Sequence, residues 1–279
     1  MIDRNVSAEK CARRDIVAHA HIFKNAGTTL DWILEQNFGT DFTDDRNDQR
    51  MVREPQYLLD TVKSNPELRA ISSHSMPLPI LEDDQINFHT IVMLRHPLLR
   101  VRSVYQFERK QRAATPGATM AKKLSFKDYV DWRMGASVAS TIRDMQVRYL
   151  TRNSNKDREV LTEEHFKSAC QFVDGNSLIG LVERFDQSML LFSKYLSGIG
   201  VDMNFSYQKQ NVSNTPKAGK TQQIDSLKDD LGASLYQTLV EKNSMDLRLY
   251  EYFDQLLTKR FDALGNVQDE LEILKRSVK

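Results

Sequence analysis

Apolar positions fall into two kinds of run along the chain. Short and nearly continuous ones, Ile16–Ile22, Arg69–Ser73, His89–Leu94 and Ser177–Val182, read as strands buried on both faces. Longer stretches with apolar residues three or four apart read as helices: Leu30–Phe38 closed by Gly39, Tyr57–Ser64, Phe126–Arg133, Ala139–Leu150, Thr162–Phe172 and Phe185–Leu196. Another helix starts at Pro97, whose fixed φ suits the first helical position, and turns Leu98, Val101, Val104 and Tyr105 inward. Two terminal helices cover 227–261, with a break, and 266–279. The polar segments Thr40–Arg53 and Asn204–Thr221 read as surface loops, and Gln111–Lys123, with Pro116-Gly117, as a mobile loop. Strands alternating with helices predict an α/β fold: a central parallel sheet flanked by helices, with a helix-rich carboxyl-terminal half.

Composition narrows the function classes. The 279 residues carry 39 Lys and Arg against 38 Asp and Glu, a net charge of +1, which argues against a general nucleic-acid binder. With 28% charged and 40% hydrophobic residues the chain folds, and its length suits one domain over 1–279, preceded by a polar segment 1–14. No apolar run reaches the ~20 residues of a membrane span, and Met1–Arg14 is no signal peptide, so the expected compartment is the cytoplasm. Cys11 and Cys170 form neither a disulfide framework nor a zinc motif, and no metal site is expected.

The chemistry sits after the first strand. In a parallel sheet, ligands bind beyond the carboxyl ends of strands, where helices present free amides. Phe23-Lys24-Asn25-Ala26-Gly27-Thr28-Thr29 occupies that place: Gly27 permits close approach, the threonines offer hydroxyls, Lys24 a charge, and the amides of residues 25–29 favour an anion. The nucleoside-triphosphate pattern Gly-x4-Gly-Lys-Ser/Thr is absent. About 70 residues later Arg95 ends the third strand, and Ser103 follows on the next helix, so the two can converge on a second anion.

The run His21-Ile22-Phe23-Lys24-Asn25-Ala26-Gly27-Thr28-Thr29 resembles the 5′-phosphosulfate loop of carbohydrate sulfotransferases, typified by the heparan sulfate 2-O- and 6-O-sulfotransferases and their bacterial relatives. Phe23 stands where that loop carries proline, and Asn25 where it carries threonine. Leu94-Arg95-His96-Pro97 through Arg100, Ser103 and Tyr105 is similar to the family's 3′-phosphate motif, with His96 in place of aspartate. The resemblance implies a P-loop-like sulfotransferase fold and a donor substrate, 3′-phosphoadenosine 5′-phosphosulfate, held by Lys24, Asn25, Ala26, Gly27, Thr28, Thr29, Arg95 and Ser103. Lys209, Asn211, Ser213 and Lys217 lie where the family has a loop that closes over the donor.

Sulfuryl transfer needs a base for the acceptor hydroxyl. His74, after the second strand, matches the position of the family's catalytic histidine, with Lys24 assisting departure of the 5′-phosphate; His19 and His21 read as packing residues. The implied partner is a hydroxyl-bearing acceptor, a carbohydrate or glycoconjugate. Lys110, Arg112, Lys122 and Lys123 are candidates to guide an acidic saccharide or glycolipid. Because the eukaryotic relatives are anchored in the Golgi, the resemblance leaves a bacterial cytoplasmic enzyme or an excised luminal domain. Oligomeric state stays open. Two alternatives remain: a kinase for small alcohols using ATP and magnesium, and a non-catalytic nucleotide-binding protein.

Overall fold

Strand β1 (Arg14–Ala20) takes the middle of the sheet because its side chains are buried on both faces. Ile16, Ala18 and Ala20 pack to one side, with Ile71, Val92 and Leu94, while Val17 joins Ile91 and Met93 on the other. In the computed structural model, which describes residues 13–152, 160–207 and 219–276, all five strands run parallel in the order β2-β3-β1-β4-β5. The others are β2 (Phe42–Asp44), β3 (Ala70–Ser73), β4 (Ile86–Leu94) and β5 (Ile179–Leu181).

The described helices are α1 (Gly27–Phe38), α2 (Asp48–Arg53), α3 (Tyr57–Ser64), α4 (Pro97–Lys110), α5 (Pro116–Lys123), α6 (Phe126–Met134), α7 (Met145–Leu150), α8 (Glu163–Gly175), α9 (Phe185–Gly198), α10 (Lys220–Leu231), α11 (Ala233–Glu241), α12 (Ser244–Asp262) and α13 (Gln268–Arg276). Leu30, Ile33 and Leu34 of α1 and Phe192 of α9 cover one face of the sheet. Val173 of α8 and Phe253 and Leu257 of α12 cover the other. A third apolar cluster joins α4, α5, α6, α10 and α11 through Val101, Val104, Ala121, Tyr129, Leu231 and Leu239. This is the expected α/β architecture. Among the described residues no helix is long and apolar enough to cross a membrane.

Several elements differ from their sequence reading. Within the expected loop 40–53, Phe42–Asp44 pairs with β3 as an edge strand, and the Asn47 side chain accepts from Arg50 N to start α2. Three residues with one aromatic carry too little periodicity to mark a strand. The expected mobile loop 111–123 contains α5: Thr115 caps it by accepting from Ala118 N, and Pro116 sits at the first helical position. Gly117 serves packing there rather than a turn, since a Cβ would stand 2.2 Å from Arg133 and 2.3 Å from Glu108. The helix expected over 139–150 covers only Met145–Leu150, because Asp144 adopts a left-handed φ of 41°. Thr115→Ala is expected to cost about 1 kcal/mol and to accelerate amide hydrogen exchange across 116–123; unchanged exchange would contradict the cap.

Candidate active site

The strand order places the site. Connections from β1 and from β3 leave toward opposite sides of β1, so the carboxyl ends of β1, β3 and β4 open together at a crevice. A cleft of about 990 Å³ lies there, and its walls include Lys24, Ala26, Gly27, Thr28, Thr29, His74, Arg95 and Ser103. Residues far apart in sequence, chosen for their chemistry, thus share one cavity. Asn25 is absent from its walls, and Lys209, Asn211, Ser213 and Lys217 lie outside the described residues.

The loop after β1 is held open from behind. Lys24 and Ala26 have positive φ, 65° and 62°, a conformation that costs a side-chain-bearing residue roughly 1–2 kcal/mol and needs its surroundings to enforce it. Arg100 Nη1 donates to the Phe23 carbonyl and Arg95 Nη1 to the Lys24 carbonyl, both at 3.0 Å. Asn25 turns inward: its amide N–H donates to the Ile22 carbonyl, and its Nδ2 donates to the Met93 carbonyl and Gln146 Oε1, each at 2.8 Å. Asn25 therefore anchors the loop to the end of β4, and its backbone amide is not free for a ligand as the sequence suggested. Phe23, in the position of the resembled loop's proline, meets Phe107 edge-on at 5.2 Å. The same ring carries Lys24 Nζ at 4.7 Å from its centroid.

The unpaired amides lie at the cleft. Among the described residues the amides of Ala26, Gly27 and Thr28, at the amino end of α1, donate to no protein acceptor. Gly27 is required by close approach, because a Cβ would fall 2.0 Å from the His21 imidazole. Arg95 Nε is buried without a hydrogen-bond partner, 3.9 Å from Glu183 Oε1. Burial lowers the pKa of Arg95 against the pull of Glu183, and burial followed by the charge of Arg95 lowers that of Lys24. Two crowded cations beside free helix-end amides form a cradle that an anion would relieve.

Two residues to which the sequence assigns no role organise this arrangement. Gln146 Oε1 accepts from Arg95 N as well as from Asn25, and its Nε2 donates to the Arg95 carbonyl at 2.8 Å. One buried amide side chain therefore locks together the loop after β1 and the end of β4. Asp246 fixes Gln146 in turn, accepting from Gln146 N at 2.9 Å and Val147 N at 2.8 Å. The second is Asp31, on α1, which lies 2.7 Å from His19 Nδ1 and 2.9 Å from His21 Nδ1. His19 and His21 are thus held by a carboxylate, not by apolar packing. An inward-facing acid between Leu30 and Ile33 is the sequence signal that marks it.

His74 donates its Nδ1–H to the His21 carbonyl at 2.9 Å; a carbonyl only accepts, so Nε2 keeps its lone pair. Burial, then the neighbouring His21, lowers its pKa below the ordinary value, leaving a neutral imidazole at pH 7. Lys110, Arg112, Lys122 and Lys123 are exposed and none lines the cleft. Of the cleft's further arginines, Arg46 is paired with Asp44 and lies 3.7 Å from Asp31 Oδ2, and Arg102 is paired with Asp230.

A parallel sheet whose carboxyl edge offers free helix-end amides and buried cations defines an α/β protein with the chemistry of an anion cradle at its strand ends. Comparison with known proteins places it more narrowly. The model of the Sulfotransferase family matches residues 10–253, so the chain belongs to that family, whose members transfer sulfuryl groups. The chain is also 29% identical over 248 residues to an uncharacterized protein of Archaeoglobus fulgidus, across 85% of this chain and 95% of that one.

Gln146→Leu keeps the side chain's bulk and strands the Asn25 amide and the Arg95 peptide in the interior. Urea unfolding is expected to show a loss of roughly 3 kcal/mol; a loss below about 1 kcal/mol, within the range of a single net hydrogen bond, would contradict this role.

Proposed function

We propose that the protein transfers the sulfuryl group of 3′-phosphoadenosine 5′-phosphosulfate to a hydroxyl of a carbohydrate or glycoconjugate. The observation that carries this reading is one cleft whose lining brings together, among the described residues, the unpaired amides of Ala26–Thr28, the Arg95 side chain and a histidine that donates through Nδ1 and keeps the Nε2 lone pair. The residues fit the donor. The amides and Lys24 suit the phosphosulfate end, and Arg95 with Ser103 suits the 3′-phosphate, which ATP lacks.

In this mechanism His74 Nε2 takes the proton of the acceptor hydroxyl as its oxygen bonds to sulfur. The sulfur's bond to the bridging oxygen breaks, and its electron pair remains on the 5′-phosphate. Lys24 and the amides at the start of α1 meet that growing negative charge, an electrostatic role that needs no reorganisation because the loop is already fixed. The carbohydrate assignment draws on the resemblance of the loop and helix motifs. An acidic acceptor draws no support from Lys110, Arg112, Lys122 or Lys123, which stand away from the cleft.

Calorimetry tests the donor. Adenosine 3′,5′-bisphosphate is expected to bind and ATP with magnesium to bind far more weakly. Arg95→Ala should weaken the bisphosphate by about 1.5–3 kcal/mol, on the order of 10- to 100-fold. Equal affinity for both nucleotides would point to the kinase reading.

An acceptor panel read by mass spectrometry for a gain of one sulfuryl group tests the reaction. His74→Ala is expected to lower turnover on the order of 10²–10⁴-fold with bisphosphate binding retained. Because the pKa of His74 is lowered, its base form predominates at neutral pH and is lost as pH falls. The acid limb of kcat/KM should therefore have its midpoint below 6.5. Retained turnover in His74→Ala would remove the base.

A further inference from the structure

We propose that Asp31 is a positioning residue for the base, acting through His21, an inference that rests on His74 being that base. His19 and His21 alternate along the β1 direction and so face the same side, toward α1, where Asp31 sits among Leu30, Ile33 and Leu34. One carboxylate oxygen lies against each ring. Oδ1 hydrogen-bonds His19 Nδ1 at 2.7 Å, beside Ser72 Oγ at 3.2 Å from the same nitrogen. Oδ2 lies at ion-pair distance, 2.9 Å, from His21 Nδ1 without hydrogen-bond alignment, and 3.7 Å from Arg46 Nη2. Burial works against the Asp31 carboxylate, yet the neighbouring His19 and His21 outweigh it and hold its pKa well below the usual range. The carboxylate thus sets both rings as Nδ1–H tautomers.

A shared metal ion would use the same atoms, but the geometry favours the carboxylate fork. The His19 and His21 rings are stacked, 5.1 Å apart and inclined by 18°. In-plane lone pairs of nearly parallel rings do not meet on one ion, whereas two separate carboxylate oxygens can each take one ring proton.

His21, so fixed, touches both halves of the site. Its ring lies 4.0 Å from the His74 ring and forms a wall of that side chain's position, while its carbonyl accepts the His74 Nδ1–H. Its other edge lies against Gly27, where a Cβ would stand 2.0 Å away. Asp31 therefore holds the imidazole that separates the base from the anion loop. Displacement of a reacting group by about 1 Å can cost on the order of 100-fold in rate.

The test uses the full chain labelled with ¹⁵N-histidine. In the wild type the ring nitrogens of His19, His21 and His74 should all report the Nδ1–H tautomer. Either His19 or His21 found as Nε2–H, or zinc displacing their ring protons at stoichiometric concentration, overturns the proposal even if no variant folds. Asp31→Asn keeps the size but offers one acceptor and two donors, so one ring must change tautomer or rotate. In that variant the His21 and His74 ring signals should move. Hydrolytic release of sulfate from the donor should fall about 100-fold, and the Kd for adenosine 3′,5′-bisphosphate should change by less than about twofold. Unmoved His74 signals, or a matching loss of bisphosphate affinity, would overturn it. Failure of the base reading is distinguishable: His74→Ala would then retain turnover, while the ring spectra of Asp31→Asn still judge the positioning role.

Discussion

The carbonyls of Phe23 and Lys24 are taken up by the guanidinium groups of Arg100 and Arg95, and most of the site's geometry follows from those two bonds. A left-handed backbone at Lys24 and Ala26 is costly, and a peptide loop left alone would relax and satisfy its own donors. Arginines reaching from the neighbouring strand end and helix occupy the acceptors instead, so the donors of Ala26, Gly27 and Thr28 stay available at the cleft. The Arg100 side chain is fully buried, with burial lowering its pKa to about 10, which leaves it charged at neutral pH. Its structural duty explains why an arginine five residues beyond Arg95 accompanies the loop.

Electrostatics and packing converge on the same edge of the sheet. Arg95 and Lys24 crowd one another with Glu183 as the neighbouring acid, and the Asn25–Gln146–Asp246 chain of buried hydrogen bonds keeps the two binding segments in register. His74 stands apart from that chain, on the β3 side, where a backbone carbonyl selects its tautomer. The cationic, amide-rich segment and the histidine thus sit on different loops around β1. The sheet order makes those loops neighbours.

Much of this was legible in the sequence because it depends on local pattern. The apolar runs of β1, β3 and β4, the proline opening α4, and the loop residues Lys24, Gly27 and Thr28 needed no knowledge of distant contacts. Arg95 and His74 share the cleft because each follows a strand end, and Ser103 because it lies on the second turn of the helix after β4. Contacts across long separations were less visible. Gln146 meets Arg95 51 positions away, and nothing local distinguishes an inward amide from a surface one. Asn25 looked like a ligand residue by its place in the motif, yet its side chain meets the end of β4. Asp31 and Thr115 did leave local marks, an acid on an apolar helix face and a capping residue before proline. Polar neighbours and Pro116-Gly117 outweighed the second of these, which is why α5 read as a loop.

The central claim is that the two strand-end segments grip one donor at both of its anionic ends. A crystal structure of the protein with adenosine 3′,5′-bisphosphate examines it most directly. The account predicts the 5′-phosphate on the amides of Ala26–Thr28 with Lys24, and the 3′-phosphate within hydrogen-bond distance of Arg95 and Ser103. A nucleotide bound elsewhere, or one whose 3′-phosphate lies in solvent away from Arg95, would contradict it.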